Sequence, residues 1–490
     1  MKITLISMDR ELYCFGIRIL SACLKNAGHN TDLIFMVPSD TGSSKDKYRT
    51  TYSSELLDQL AERCIDSNLV GLSLMSNQFI QATAITKGLK VRGVTAPVIW
   101  GGIQPTVEPH DCLEHADIVC IGEGEGAIVD LAEKMRKGES YISTQNLWIK
   151  TPKEVVRNAV RPLIQDLDSL PYPDYSCVNH YISLGGSIIE LTRVIFITFQ
   201  GERFKSKNSY IDYMFMTSRG CPYNCTYCAN SIFRDLYPRQ KIIRWRSAKN
   251  IMGELKMIRD ELAPISYVFM VDDNFTARPN KHLLEFCELY KKEIGVPFFA
   301  QVSPLTIDDE KMRILFENGC AHITMGIETA SKRIADMYNR KKAHAVMEKA
   351  IAVVERYRHL QTPPPTYQFI IDNPYERVDE MLETLRLACS FPRPWQNPIY
   401  SLMMFPGTPI FNKALADGII TDKYDQIYGR NWRSQSHPYL QIWIRLYHAN
   451  IHPAILRLML MKWVAHLFTT KLVESFLRLK PIRHLWENPT

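Results

Sequence analysis

Three cysteines in the segment SRGCPYNCTYCANS have the spacing CxxxCxxC. They are Cys221, Cys225 and Cys228. Three thiolates can hold three irons of a four-iron, four-sulfur cubane, which leaves the fourth iron open to a small chelating ligand. A structural zinc site normally takes four ligands in two pairs, and the chain has no second CxxC pair. The spacing therefore favours a redox-active iron–sulfur cluster over a zinc ion.

The strands expected around this motif form a regular series from Tyr213 onward. Helical patterns separate most of six apolar runs, which are DYMFMTS, YVFMVDD, PFFAQVS, HITMGIE, YQFIID and NPIYSLMMF. Six such units predict a partial (β/α)6 barrel over residues 213–410, whose chemistry would lie at the strand ends. The cysteine segment directly follows the first of these strands.

The first 140 residues show a separate alternation of strands and helices. Short β-branched runs such as KITLIS and APVIWGG alternate with helical patterns that include Gln78–Arg92 and Glu125–Lys137. The order predicts an α/β fold with a doubly wound, Rossmann-like parallel sheet in residues 1–140. Ligands of such sheets lie beyond the carboxyl ends of the strands.

Residues 141–212 lose this rhythm, and the Pro- and Tyr-rich stretch LPYPDYS predicts a linker with a hairpin. Residues 411–490 are expected to be helical. They contain 11 Lys and Arg against 5 Asp and Glu, so they account for most of the net charge of +7. The first 410 residues are almost neutral, which argues against a nucleic-acid partner.

The composition is that of a folded protein, with 46% hydrophobic and 23% charged residues. The N-terminus MKITLISMDRELYC lacks the pattern of a signal peptide, so a cytoplasmic location is expected. Nine of the twelve cysteines are scattered singly. They are expected to be buried thiols rather than ligands of further clusters.

The cysteine motif after a barrel strand resembles that of the radical S-adenosylmethionine (SAM) superfamily. The resemblance implies that the open iron binds SAM and that an electron from the cluster cleaves it to methionine and a 5′-deoxyadenosyl radical. It also implies SAM contacts at later strand ends, although acidic residues there could instead cap the next helix. The candidate SAM residues are Tyr227, Asp272, Asp273, Gln301, Gly326, Glu328 and Asn373.

Two glycine-rich segments, GGIQPT and GEGEGA, follow strands of the first domain. Tight turns need glycine in any case, but together with the barrel the segments resemble the cobalamin-binding radical SAM class. That class includes C-methylases and the anaerobic Mg-protoporphyrin ester cyclase. The candidate cobalamin residues are Ser76, Gly101, Gly102, Thr106, Gly122, Glu123, Gly124 and Glu125.

The cobalamin pattern DxHxxG, which supplies an axial histidine in many cobalamin proteins, is absent after the first strand. The chain there reads Met8-Asp9-Arg10-Glu11-Leu12. We therefore expect either cobalamin without a histidine ligand from that loop or a domain that has lost the cofactor. His29 is interpreted as a helix-end residue rather than a ligand.

The resemblance implies methylation of an unactivated carbon, in which one SAM supplies the radical and a second remethylates cobalamin. Radical ring closure, oxidation or carbon–carbon coupling of a lipid or tetrapyrrole is the alternative. A corrinoid or redox sensor without turnover is a further one, although no output domain is evident. No catalytic side chain can be assigned from the sequence. A reductase or flavodoxin-type protein is expected to deliver the electron.

The segment Pro453–Lys480 is apolar and helical in pattern, but charged residues interrupt it. No apolar run approaches the roughly 20 residues that a bilayer span needs. Basic residues beside Trp432, Trp443, Trp463 and Trp486 suit a helix at the inner face of a membrane, or a lid over a hydrophobic substrate. A helical cap that packs on the barrel is the alternative.

Overall fold

The structure is a computed structural model, which describes residues 1–9, 11–37, 52–204, 210–395, 397–429, 438–468 and 473. Two sheets organise these residues, a mixed one that is mainly parallel and a second that is parallel throughout. The first has nine strands in the order β7-β6-β5-β4-β3-β1-β2-β8-β9. Its strands are β1 Lys2–Ser7, β2 Asn30–Phe35, β3 Leu69–Ser73, β4 Val98–Gly101, β5 Ile118–Cys120, β6 Leu147–Lys150, β7 Val155–Arg157, β8 His180–Leu184 and β9 Ser187–Glu190.

The central five strands of this sheet are parallel and have the order β5-β4-β3-β1-β2, so the expected doubly wound domain is confirmed. In register, Ser7 lies beside Ser73, and Ser73 lies beside Gly101. The carboxyl ends of the three adjacent strands β1, β3 and β4 therefore lie at the same edge of the sheet. The helices of this part are α1 Phe15–Asn26, α2 Ser54–Cys64, α3 Phe79–Val91, α4 Ile103–Val107, α5 Pro109–Leu113, α6 Glu125–Lys137 and α7 Arg193–Phe204.

The segment expected to be a linker with a hairpin extends the first sheet at both edges. The hairpin β6–β7 pairs antiparallel to β5, and the hairpin β8–β9 is attached to β2 through β8. Its apolar side chains belong to the core, since Leu147, Ile182 and Phe196 are fully buried. The loss of alternation in the sequence thus reflects short edge hairpins rather than an exposed connection.

The second sheet is parallel throughout, with six strands in the order β10-β13-β14-β15-β16-β17. It is the expected partial barrel. Between its first two strands, two short strands pair with each other as a separate ribbon. The strands are β10 Ile211–Phe215, β11 Ser218–Arg219, β12 Arg244–Trp245, β13 Ile265–Met270, β14 Phe298–Val302, β15 Cys320–Glu328, β16 Thr366–Ile371 and β17 Ile399–Ser401.

Helices cover the outer face of the second sheet and continue beyond its last strand. Within the described ranges no helix has the length and apolar character that crossing a bilayer requires. The helices are α8 Ala229–Leu236, α9 Ala248–Met257, α10 Asn280–Glu293, α11 Asp309–Glu317, α12 Lys332–Met337, α13 Lys341–Arg356, α14 Val378–Ala388, α15 Pro409–Ala416, α16 Pro438–His448, α17 Pro453–Met459 and α18 Lys462–Phe468.

Aromatic side chains join the two sheets. The rings of Tyr13 and Tyr213 meet edge to face with centroids 5.6 Å apart, and Tyr175 approaches Tyr213 at 5.7 Å. Tyr13 also donates a hydrogen bond to the carbonyl of Asp212, in β10. Because edge-to-face pairs add stabilisation beyond their buried area, this contact holds the start of the second sheet against the first domain.

Candidate active site

The three cysteines lie on one loop after β10, between β11 and α8. Cys225 is buried, while Cys221 and Cys228 are half-buried. In the described part of the chain, no three Cys, His, Asp or Glu side chains are close enough to share one metal ion. A cubane does not require this, because each thiolate binds a different iron. The arrangement therefore suits a cluster better than a single zinc ion.

The protein around the loop disfavours cysteine thiolates that bind no metal, and it supplies N–H groups that donate hydrogen bonds to the sulfur atoms. Burial raises the pKa of Cys221 to about 12 and that of Cys228 to about 11. The amide of Asn230 points to the sulfur of Cys228 at 3.7 Å, and Arg340 Nη1 lies 3.6 Å from the sulfur of Cys225. Positive iron would offset the cost of the buried thiolates, so these residues fit a cluster.

A cavity of about 400 Å³ connects this loop to the first domain. On one side it is bounded by Gly220, Asn230 and Asp273, which flank the cysteines. On the other side it is bounded by the glycine-rich ends of β4 and β5 and by apolar residues of α1 and α6. The residues from the first domain include Leu5, Phe15, Gly16, Leu20, Gly101, Gly102, Gly122, Glu123, Gly124, Glu125 and Ile128.

Six of the eight candidate cobalamin residues line this cavity, and Ser76 and Thr106 do not. Ser76 is buried in a short helical turn after β3. Thr106 has a connecting position, because its hydroxyl donates to the Gly102 carbonyl at 2.8 Å and accepts from Gly122 N at 3.0 Å. It thereby holds the two glycine-rich loops together, and cobalamin contacts remain predictions for all eight residues.

The glycines of these loops are not equivalent. Gly102 has φ +102°, and a Cβ there would lie 2.8 Å from the Leu74 carbonyl oxygen, so a side chain would distort the sheet. Gly124 has φ −93°, and a Cβ there would make ordinary contact with Leu20 at 3.5 Å. A larger side chain at Gly124 would therefore fill the cavity without straining the backbone.

Glu123 and Glu125 contact the second domain. Arg219, which precedes the cysteine loop, places Nη1 2.9 Å from Glu123 Oε1 and Nη2 2.5 Å from Glu125 Oε1. Arg244 Nη1 also lies 2.7 Å from Glu123 Oε1. The two arginines hold the pKa of Glu123 below its usual value, against the opposing effect of burial. These carboxylates therefore connect the domains, and sequence reasoning missed both arginines.

Asp272 and Asp273 have different surroundings. Asp272 is fully buried and accepts hydrogen bonds from the Thr217 amide and hydroxyl, each at 3.0 Å, and from the Ser218 hydroxyl. Asp273 instead is exposed and lines the cavity. The two carboxylates therefore have different roles: Asp272 stabilises the strand end, and Asp273 faces the cavity.

Tyr227 and Glu328 meet beside the cysteine loop. Glu328 has φ +70°, and its pKa is raised by burial against the opposing effects of Arg340 and a hydrogen bond from Tyr227. The Tyr227 ring packs edge to face on Tyr338 at 5.0 Å. Gly326 leaves room for the returning Glu328 carboxylate, which a Cβ would meet. A left-handed non-glycine residue at such a place is typical of a functional site.

The other two candidate SAM residues, Asn373 and Gln301, do not line the cavity. Asn373 is buried; its amide donates to the Tyr338 hydroxyl at 3.2 Å and accepts from the Tyr375 amide at 3.0 Å. Gln301 is half-buried on β14. Of the seven candidates only Asp273 lines the cavity, and the SAM contacts of all seven remain predictions.

The loop after β1 contains no histidine that reaches the cavity. Asp9 accepts a hydrogen bond from Gln78 Nε2 at 2.6 Å, and burial raises its pKa. Within the described ranges the cavity wall has no histidine at all. His29 is buried at the end of α1 with Nε2 3.1 Å from Glu133 Oε1, as expected for a helix-end residue.

A parallel half-barrel with a three-cysteine loop, opening through one cavity onto a doubly wound sheet, defines an iron–sulfur enzyme of two α/β domains. Residues 215–388 match the Radical SAM superfamily, and residues 1–132 match the B12 binding domain. The chain thus belongs to the radical SAM enzymes that carry a cobalamin-binding domain. Its cofactors are a 4Fe-4S cluster, SAM and cobalamin.

Similar curated proteins include methyltransferases and a cyclase. An uncharacterized methyltransferase of Pyrococcus horikoshii is 23% identical over 401 residues, covering 79% of this chain and 78% of that protein. The anaerobic magnesium-protoporphyrin IX monomethyl ester cyclase of Cereibacter sphaeroides is 25% identical over 360 residues, covering 68% of this chain. The chain spans only 52% of the cyclase.

Solved structures of low identity share the fold. The cobalamin-dependent SAM radical enzyme OxsB, with aqua-cobalamin and SAM bound, has a TM-score of 0.66 at 16% identity and covers 99% of this chain and 76% of its own. The radical SAM methyltransferase TsrM from Kitasatospora setae has a TM-score of 0.62 at 14% identity, covering 85% and 76%. The fold class is therefore confirmed.

Substitution of the two aspartates should separate their roles. Asp272→Asn removes the charge that accepts three hydrogen bonds, so it should lower the free energy of unfolding by roughly 3 kcal/mol. Asp273→Asn should change it by less than about 0.5 kcal/mol. Anaerobic urea unfolding measures both. Equal destabilisation by the two variants would show that Asp273 is a structural residue as well.

Gly124 offers a steric test of cobalamin binding. Gly124→Phe should fill the cavity and lower cobalamin retention after reconstitution at least tenfold, measured by corrinoid absorbance on the desalted protein. Gly124→Ala is the control and should retain the cofactor, since its Cβ fits. Full retention by the Phe variant would place cobalamin elsewhere.

Proposed function

We propose that this enzyme methylates an unactivated carbon of a hydrophobic small molecule, with a lipid as the preferred class. The observation that carries the proposal is the single cavity shared by the cysteine loop and the glycine-rich strand ends. When bound, the cluster with SAM supplies a 5′-deoxyadenosyl radical, and cobalamin supplies a methyl group. A substrate carbon between the two domains would be within reach of both.

The residues of the chain would bind and shield the reactants. Cys221, Cys225 and Cys228 would hold the cluster, and Asp273 would contact the ligand of the open iron. The flat faces of Gly101 and Gly124 would let a corrin ring approach the backbone closely. Apolar side chains from α1 and α6 would exclude water, which protects a carbon radical from side reactions.

The apolar wall of the cavity supports a hydrophobic substrate. Leu163, Leu167 and Leu170 line it from the connection between β7 and β8, together with Pro171 and Pro173. The charged side chains at the wall mostly pair with one another; Arg246, for example, lies 2.5 Å from Glu254. A substrate with little charge would therefore bind without breaking these ion pairs.

The described C-terminal helices support delivery from a membrane. One side of α17 and α18 packs on the protein: Tyr439 donates to the Met459 carbonyl at 2.7 Å, and Arg386 donates to the Leu460 carbonyl at 2.6 Å. Five large apolar side chains of α17, α18 and the turn between them are 46–63% exposed, and we refer to them together as the apolar surface. These are Ile455, Leu458, Met461, Trp463 and Leu467, and Arg457 and Lys462 flank them.

The sequence left two alternatives for this segment, a helix at a membrane surface and a helical cap on the barrel. The two are compatible, because the helices pack on the protein and also expose large apolar side chains. Trp443, however, is fully buried and stacks on Tyr447 at 5.2 Å, so its expected place at a membrane surface is wrong. Trp432 and Trp486 lie outside the described residues, as do 469–472 and 474–480 of the expected helix. Exposed tryptophan and leucine beside basic residues suit the surface of an anionic bilayer.

Electron delivery requires a partner, which we propose is a reductase or flavodoxin-type protein. The cysteine loop reaches the surface at Asn224, beside the exposed Asn339. Lys341 and Lys342 follow Asn339 closely and are exposed as well. An acidic donor could therefore dock near the cluster, guided by charge.

The reaction type can be tested with SAM that carries a deuterated methyl group. Anaerobic assays of the reconstituted enzyme with lipids and tetrapyrroles should give a product bearing a fully deuterated methyl group, detected by mass spectrometry. The triple variant of Cys221, Cys225 and Cys228 to Ala is the control and should give neither product nor 5′-deoxyadenosine. A product that has lost hydrogen and carries no label would favour cyclisation or coupling instead.

Vesicle flotation tests the membrane proposal. The intact protein should float with vesicles that contain phosphatidylglycerol and should bind less as salt rises. Trp463→Ser with Leu467→Ser should lower the bound fraction at least about tenfold, since both side chains lose buried area. Val91→Ser is a matched control, because Val91 is 75% exposed on the distant α3. No flotation of the folded intact protein would remove the reason for preferring a lipid.

A further inference from the structure

The connection between α12 and α13 is hydrogen-bonded to the cysteine loop. Thr226 donates twice to it, from N to the Tyr338 carbonyl at 3.2 Å and from Oγ1 to the Met337 carbonyl at 2.8 Å. In return, Asn339 Nδ2 donates to the Asn224 carbonyl at 2.8 Å. The backbone on both sides of the middle cysteine is therefore held by one short segment that begins where α12 ends.

Arg340, the last residue of this connection, places a cation against the middle cysteine. Its Nη1 lies 3.6 Å from the sulfur of Cys225, and its Nη2 donates to the Gly326 carbonyl at 2.6 Å. The Nε is buried and has no hydrogen-bond partner within the described structure. The second bond fixes the guanidinium plane, so the N–H that points to the sulfur has little freedom to leave.

Other polar groups near the loop differ from Arg340. Asn230 reaches the sulfur of Cys228 with a neutral amide at 3.7 Å. Arg234 donates to the carbonyls of Cys221 and Pro222, each at 3.1 Å, rather than to sulfur. Among the described residues, Arg340 is thus the cation that donates directly to a sulfur of the motif.

We propose that Arg340 is a positioning residue that raises the reduction potential of the cluster bound by the three cysteines. One-electron reduction adds a negative charge to the cluster and its thiolates. A charge-assisted N–H···S bond and a cation held in partly buried surroundings both favour the more negative state. Arg340 would therefore ease the reduction that precedes SAM cleavage. The proposal depends on the cluster of the radical SAM domain and not on the substrate.

The test is an anaerobic redox titration of the reconstituted full-length enzyme without SAM, followed by electron paramagnetic resonance of the reduced cluster. Arg340→Met, with full iron and sulfide content, should lower the midpoint potential. We expect the reduced-to-oxidised ratio at a fixed potential to fall at least tenfold, which corresponds to 59 mV for one electron. Arg340→Lys should shift it less, because the charge remains. An unchanged midpoint in the Met variant would overturn the proposal.

Two control variants test whether the potential depends on the charge beside the Cys225 sulfur, rather than on the loop's hydrogen bonds or on any nearby cation. Asn339→Ala breaks the neighbouring bond to the loop but leaves Arg340 in place, and Lys341→Met removes an exposed cation that follows it in the chain. Both should keep the wild-type potential, and a shift in either equal to that of Arg340→Met would overturn the proposal. If Arg340→Met fails to hold iron, Arg340→Gln replaces it, and a wild-type potential in that variant would also overturn it. Failure of methyl transfer alone would leave the potential unaffected.

Discussion

The ion pairs of Arg219 with Glu123 and Glu125 connect the two halves of the active site. Arg219 lies directly before the cysteine loop, while Glu123 lies in the loop after β5 and Glu125 begins α6, and both glutamates line the cavity. Each carboxylate is largely shielded from water, so leaving either group without its partner would be costly. The position of the cysteine loop relative to the first domain therefore depends on these ion pairs, together with the aromatic contacts of Tyr13, Tyr175 and Tyr213.

The same requirement explains why polar residues at the strand ends have two kinds of role. Some, such as Asp272 and Thr106, stabilise loops and strand ends, because their polar atoms are hydrogen-bonded to other groups of the protein. Others, such as Asp273 and Gly124, face the cavity. A radical enzyme needs both, because a reactive carbon must be held in place and kept from water by walls that do not move.

The similar curated proteins carry out two types of reaction. Methyltransferases and cyclases both match this chain at 20–25% identity over most of its length. The choice between methyl transfer and ring closure depends on how a substrate is held. In this chain the features that favour a hydrophobic substrate are the apolar cavity wall and the exposed apolar side chains of α17 and α18.

The sequence by itself determined the cluster motif, the alternation of strands and helices in residues 1–140 and 213–410, and the glycine-rich turns, because spacing and hydrophobic alternation are local properties. Even the bounds of Glu125–Lys137 agree with the helix observed. Only the tertiary structure decided that Asp273 rather than Asp272 faces the cavity, since adjacent residues at a strand end point in opposite directions. It also decided that residues 141–212 complete the first sheet, and that Arg219 and Arg340 reach across to distant partners. Such contacts join residues far apart in the chain, and no local pattern records them.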